Sequence, residues 1–424
     1  MRSRVHAWVG LLAAGFLYSQ TSALRPYFAA ELSDSPRMAA LRKSVEAGKR
    51  AAVLSDFWAE VKKESTPLIE PVSGEPQYSW VTFLWQAKEN TANVVVIDGV
   101  ATGIGGGDAA HSMMSRLPGT DVWYRTYKVR NDARFTYWIS PNDSLEWLIT
   151  TLPRSSHPQA DPLNPQRLGP QSYVQLPGAR PVPWLTPMQP AGKVERTKLE
   201  SDILKNTRDV WVYTPPGFQA SGEEYPLLVM MDGGAYVNQV PVPVILDNLI
   251  AQKRIPPMVA IMTGNVARDT ELACNPRFSD FLAQELVPWM RENYHATSDP
   301  ARTIVGGSSL GGLAATFAAF EHPEVFGNVL SQSGSNWWKP EGEIEGEWLT
   351  RQFANSPQGA IRFSVSVGLM EVPDQLDTNR HLRDVLIAKG YPVKYSEFNG
   401  NHSYVSWRAE FADRLMDLLG QPRR

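Results

Sequence analysis

Cysteine is almost missing: Cys274 is the single one in 424 residues. That excludes an internal disulfide, and no group of Cys and His residues has the spacing of a structural zinc site. A surplus of one charge is also lacking. The 41 basic and 44 acidic residues leave −3, so no basic excess exists to neutralise a run of phosphates and general nucleic-acid binding is excluded. The apolar run that opens the chain, residues 7–18, covers 12 positions, too few to span a bilayer. It suits the core of an export signal instead. Arg2 and Arg4 precede it, and Thr21-Ser22-Ala23 follows with small residues for cleavage. The expectation is a signal peptide over 1–23, a periplasmic or secreted mature chain and no stable membrane insertion. The alternative is a cytoplasmic protein with a buried N-terminal helix.

What remains has an ordinary globular composition, 43% hydrophobic and 20% charged, with 14 tryptophans suited to a sandwich core or an aromatic-lined site. Residues 24–66 read as a helical segment. Ser35-Pro36 is an N-cap and first-turn pair, Met38, Leu41 and Val45 form a stripe, Gly48 ends it, and a second helix is expected over 56–64. From 67 to 152 the period is two, in the runs 78–85, 93–97, 122–129 and 134–139. Several short strands without helical partners imply a small antiparallel β-sandwich, immunoglobulin-like. The glycine run over 103–108 opens no helix within a βαβ unit, so it reads as a loop and not a phosphate cradle. Residues 153–190 hold 10 of the 33 prolines, and the stretch 153–193 is expected to be a semi-rigid linker. From 194 to 424 strand-like and helix-like segments alternate, as in an α/β domain with a mostly parallel sheet covered on both faces.

Chemistry concentrates in that last domain. Gly307-Ser308-Ser309-Leu310-Gly311 follows a strand and precedes a helix, the context in which G-x-S-x-G is a nucleophile elbow. Side chains two residues either side of Ser309 would clash in so tight a turn, hence Gly307 and Gly311. A serine hydroxyl needs a neighbouring base. Only seven histidines exist, and His402, in Asn399-Gly400-Asn401-His402-Ser403 between the last strand and the last helix, stands where this fold puts its base. The orienting acid should follow a strand after the elbow. Glu371 is the first choice, with Asp374 and Asp377 one turn away as alternatives. The order serine, acid, histidine is that of α/β-hydrolases. Oxyanion donors are expected at Leu310 and at Gly233 and Gly234, after the strand ending at Met231. No cofactor or metal is called for.

Further segments carry a resemblance. Residues 268–275 (RDTELACN), the elbow, 330–338 (LSQSGSNWW) and Gly400-Asn401-His402 are similar to enterochelin (enterobactin) esterases. So are 116–123 (RLPGTDVW) and 134–137 (RFTY) in the front domain, and the likeness spans about 76–418. It implies a serine esterase cutting a catecholate-serine trilactone, iron-loaded or free, with Arg268 holding the anionic catecholate and Trp337 and Trp338 bordering the pocket. Read from the residues alone, Arg268 could instead pair with Glu271, and the two tryptophans could belong to the core. Asn401 and Ser403 depart from the Gly and Asp with which this family usually flanks the histidine. The alternatives are a carbohydrate acyl esterase of the feruloyl or acetyl type, or an exported binding protein without catalysis.

Overall fold

The computed structural model describes residues 31–32, 34–48, 50–88, 90–98, 112–144 and 158–419. The expected signal segment, the glycine run over 103–108 and the histidines 6, 111 and 157 lie outside them.

The front domain is a two-sheet sandwich. One sheet has the order β1 (Glu31–Leu32), β6 (Val122–Arg130), β3 (Tyr78–Gln86) and β2 (Leu68–Pro71), with β5 (Ser115–Arg116) also on β6. The other runs β4 (Val94–Asp98), β7 (Arg134–Pro141), β9 (Gln171–Gln175) and β8 (Arg167–Leu168). Phe83, Tyr127, Phe135 and Tyr137 fill the space between the sheets, and the Phe83 ring meets that of Tyr137 edge-on at 4.8 Å. β3 is buried on both faces because two helices, Pro36–Glu46 and Arg50–Glu64, cover its outer side with Met38, Leu41, Val45, Phe57, Trp58 and Val61. Ser35 caps the first helix as its sequence implies, accepting from the Met38 N–H at 3.3 Å. The second begins at Arg50, six residues earlier than expected.

The described part of the proline-rich stretch, residues 158–193, is more than the semi-rigid linker expected, because it adds strands to the sandwich. Gln159 pairs with Ile139, β8 and β9 form a hairpin turning at Gly169 with φ +56°, and β9 completes the second sheet against β7. Prolines here stand at turns and strand ends, where no ladder N–H is required. The segment then crosses to the second domain. The Asn248 side chain donates to the carbonyls of Trp184 and Thr186, and Arg180 pairs with Asp413.

The second domain is an eight-stranded sheet in the order β10 (Lys193–Ser201), β11 (Asn206–Thr214), β13 (Val259–Thr263), β12 (Leu227–Met230), β14 (Thr303–Ser308), β15 (Asn328–Gln332), β16 (Arg362–Gly368), β17 (Val393–Phe398). β12 to β17 are parallel, and β10 and β11 join antiparallel at one edge. The four strands β12 to β15 are buried throughout, as a sheet covered by helices on both faces must be. This is the expected α/β-hydrolase domain. The exposed edge strand β10 and the polar β15 carry neither alternation nor an apolar run, and for that reason periodicity does not reveal them.

Candidate active site

The elbow forms where the glycines demand. Ser309 takes φ 57° and ψ −126° between β14 and the helix Leu310–Glu321. A β-carbon on Gly307 would come within 2.5 Å of the Gly311 carbonyl carbon, so no larger residue fits. Because the helix begins at Leu310, the first N–H groups beside Ser309 have no intrahelical acceptor. The Ser309 hydroxyl lies 3.4 Å from that of Ser335, and the Ser335 N–H donates to the Ser309 carbonyl at 3.0 Å.

His402 stands in the loop between β17 and the helix Tyr404–Leu419. Its Nδ1 is 2.6 Å from Glu371 Oε2. Glu371 is fully buried, and its other oxygen accepts from Ser333 Oγ at 2.5 Å and from the Gly368 N–H at 2.8 Å. Asp374 and Asp377 lie instead on the helix Pro373–Ala388, with Asp377 3.8 Å from Arg380. The Trp407 indole donates to Ser333 Oγ at 2.9 Å and meets the imidazole edge-on at 4.8 Å. The ring is thus fixed by a carboxylate at one nitrogen and by an indole packed against it. That leaves Nε2 for chemistry.

Across the elbow, Met231 and Asp232 adjoin Gly311, where an added β-carbon would be 3.4 and 3.3 Å from their side chains. The short helix Gly233–Asn238 starts here. The two glycines differ. A β-carbon at Gly233 would be 2.6 Å from the Met262 carbonyl oxygen, whereas at Gly234 the nearest atom, on Trp211, is 3.7 Å away.

Arg268 pairs with Asp232 and not with Glu271. Its Nε and Nη2 donate to the two carboxylate oxygens of Asp232 at 2.7 and 2.8 Å, and this bond raises the guanidinium pKa. Glu271 is occupied by the buried Arg208 at 2.8 Å. Trp337 is exposed and hydrogen-bonded to Gln375, which also donates to the carbonyls of Ser333 and Gly334. Trp338 packs edge-on against Trp348 over the domain core, so packing accounts for it. Burial pushes the Cys274 thiol up, so no thiolate is available there. Sequence reasoning assigned no role to Asp232, Ser333, Ser335 or Trp407. All but Trp407 lie in segments it had marked, yet their partners are distant in sequence.

Comparison with known proteins gives the chain a family. Residues 201–418 match the esterase family profile ("Putative esterase"), and 80–185 match that of the enterochelin esterase N-terminal domain. An iron(III) enterobactin esterase of Escherichia coli strain CFT073 is 32% identical over 80% of this chain and 90% of its own. One of Dickeya dadantii is 29% identical over 90% and 95%. The crystal structure of the Shigella flexneri enterobactin esterase in the presence of enterobactin superposes with a TM-score of 0.71 at 29% identity, covering 84% of this chain and 96% of that one. With both domains matched and relatives aligned over most of their length, the chain belongs to the enterobactin (enterochelin) esterase family of carboxylic ester hydrolases.

Proposed function

We propose that this chain hydrolyses the ester bonds of a catecholate-serine trilactone of the enterobactin type, iron-loaded or free, and so frees the iron that the intact ligand holds. The observation that carries the reading is the buried Glu371 held on His402, tied to the elbow through β15: the Ser309 N–H donates to the Gln332 carbonyl at 3.0 Å, and the next residue, Ser333, donates to Glu371 at 2.5 Å. Ser309 Oγ turns from Ser335 toward His402 Nε2, gives up its proton there and attacks the ester carbonyl. N–H groups of Leu310 and of the Gly233-Gly234 segment receive the oxyanion. His402 returns the proton to the leaving serine hydroxyl, and water activated by the same ring clears the acyl-enzyme. Every proton has a place, and no metal or cofactor is required of the protein. Iron, when present, arrives with the substrate. The relatives' names favour the trilactone over a feruloyl or acetyl sugar, and the intact acid–base pair argues against a binding-only protein.

Export belongs to the same reading. The pattern of Arg2, Arg4, the apolar run and Thr21-Ser22-Ala23 supports a mature chain beginning near Leu24, in the periplasm or outside the cell.

The test is a set of variants assayed on enterobactin. Ser309→Ala and His402→Ala should each lower kcat by on the order of 10⁴ to 10⁶ while binding survives. Glu371→Ala should cost less, because the acid orients rather than reacts, and Asp374→Ala should be near neutral. A serine-directed phosphonate should label Ser309. Near-normal turnover by folded Ser309→Ala, or a larger loss from Asp374→Ala than from Glu371→Ala, would overturn the corresponding assignment.

A further inference from the structure

The loop carrying His402 is not held by the hydrolase domain alone. Strand β7 of the front domain runs beside it. The Arg134 N–H donates to the Asn399 carbonyl at 3.1 Å, and Arg134 and Gly400 form a parallel bridge. A β-carbon on Gly400 would lie 2.9 Å from the Arg134 carbonyl oxygen, so the two backbones touch. One residue on, the pairing passes to a side chain. Asn401 Oδ1 accepts from the Thr136 N–H at 3.3 Å, and Asn401 Nδ2 donates to the Thr136 carbonyl at 3.0 Å. The Ser403 hydroxyl donates to the same Oδ1 at 2.7 Å, and Ser406 Oγ reaches the Arg134 carbonyl at 3.4 Å.

A carboxamide suits this place because it offers one donor and one acceptor, as a backbone unit does, and so continues the ladder between domains. Asn401 and Ser403 flank the base on both sides, and both are buried. The acid's loop is anchored in the same place: Met370, next to Glu371, is buried in the sandwich core, and its N–H donates to the Gly400 carbonyl at 3.1 Å. An irregular loop that must hold an imidazole to within about half an ångström needs such outside support.

We propose that Asn401 is a positioning residue for His402, through which strand β7 of the front domain holds the base of the hydrolase domain in line with Ser309. The inference rests on the reading of Ser309 and His402 given above.

The experiment uses the full chain and a soluble aromatic ester. Asn401→Ala should lower kcat about tenfold or more with KM within twofold, and should slow phosphonate labelling of Ser309 by a similar factor. Ser403→Ala, which frees one bond to the amide, should act in the same direction and less. Asn401→Asp is the discriminating variant: it keeps the acceptor but sets an oxygen against the Thr136 carbonyl, so its turnover should fall at least as far as in Asn401→Ala. Should Asn401→Ala fail to fold, Asn401→Ser deletes the same pairing and is read in the same way. Turnover within twofold of wild type for folded Asn401→Ala, a loss confined to KM, or wild-type turnover in Asn401→Asp would each overturn the proposal. Ser309→Ala and His402→Ala run alongside separate the two readings. If they stay active, the catalytic assignment has failed; if they are dead while Asn401→Ala is not, this inference alone has.

Discussion

At the scale of single residues, Arg268, which the family resemblance implies as the holder of an anionic catecholate, is already bound by a carboxylate. Its bidentate bond to the buried Asp232 places a negative charge at the site together with the positive one, and Asn265 adds a third contact to the same carboxylate. An anionic catecholate must share the guanidinium with Asp232 or displace it. Removing Arg268 therefore exposes a bare carboxylate as well as deleting a cation. Arg268→Ala should raise KM for an anionic aromatic ester about tenfold, about 1.4 kcal/mol, and leave a neutral short ester nearly unchanged. Asp232→Asn should act in the opposite sense and lower KM for the anionic ester. That substitution is mild in backbone terms, because position 232 has φ 55° and Asn tolerates the left-handed region. Measuring KM for a charged and a neutral ester in both variants checks the signs, and equal shifts on both esters would make the pair structural. Ser309 and His402 could be singled out in the sequence because an elbow and a post-strand loop are local patterns. The Asp232–Arg268 pair could not: its members are 36 positions apart and meet only because β12 and β13 are neighbours.

Among the elements, the strand end at β12 separates two glycines that the sequence treats alike. Gly233 faces the β13 carbonyl of Met262 at a distance that admits no side chain, so its requirement comes from packing. Gly234 has room for a methyl group. Gly233→Ala should destabilise the fold by about 2 kcal/mol or more, seen as a lowered denaturation midpoint. Gly234→Ala should fold normally, so any fall in its kcat would report on how closely substrate and oxyanion approach the backbone there. A destabilised Gly234→Ala protein would show that packing, not approach, sets both glycines. The proline-rich stretch teaches a related point. Pro170 marks the turn between the short strands β8 and β9, but strands of two and five residues are too brief to show alternation. Their place in the sandwich is decided by pairing with β7, which no local pattern encodes.

For the whole molecule, the two domains are legible in the sequence as a change of period from two to alternating βα, but their mutual contact is not. That contact is intimate. Met370 belongs to the hydrolase chain yet lies 5% exposed within the sandwich cluster, and Arg134 of β7 is buried at the junction, donating to the Arg180 carbonyl. Burial depresses the Arg134 pKa, outweighing the opposing pull of the Glu410 carboxylate, the mark of a cation enclosed by packing. Two domains that share core residues should not melt independently. Calorimetry should show one transition, with calorimetric and van't Hoff enthalpies equal. Met370→Ala removes a side chain that each domain relies on, and it should cost about 2–5 kcal/mol, the range for a buried large-to-small change. If the loss acts at the junction, the single transition should also broaden or divide, and kcat should fall with it because Glu371 is the next residue. Two resolved transitions in the unaltered protein would show that the sandwich and the hydrolase fold separately, and the support that β7 gives to the His402 loop would then be lost before the hydrolase domain unfolds.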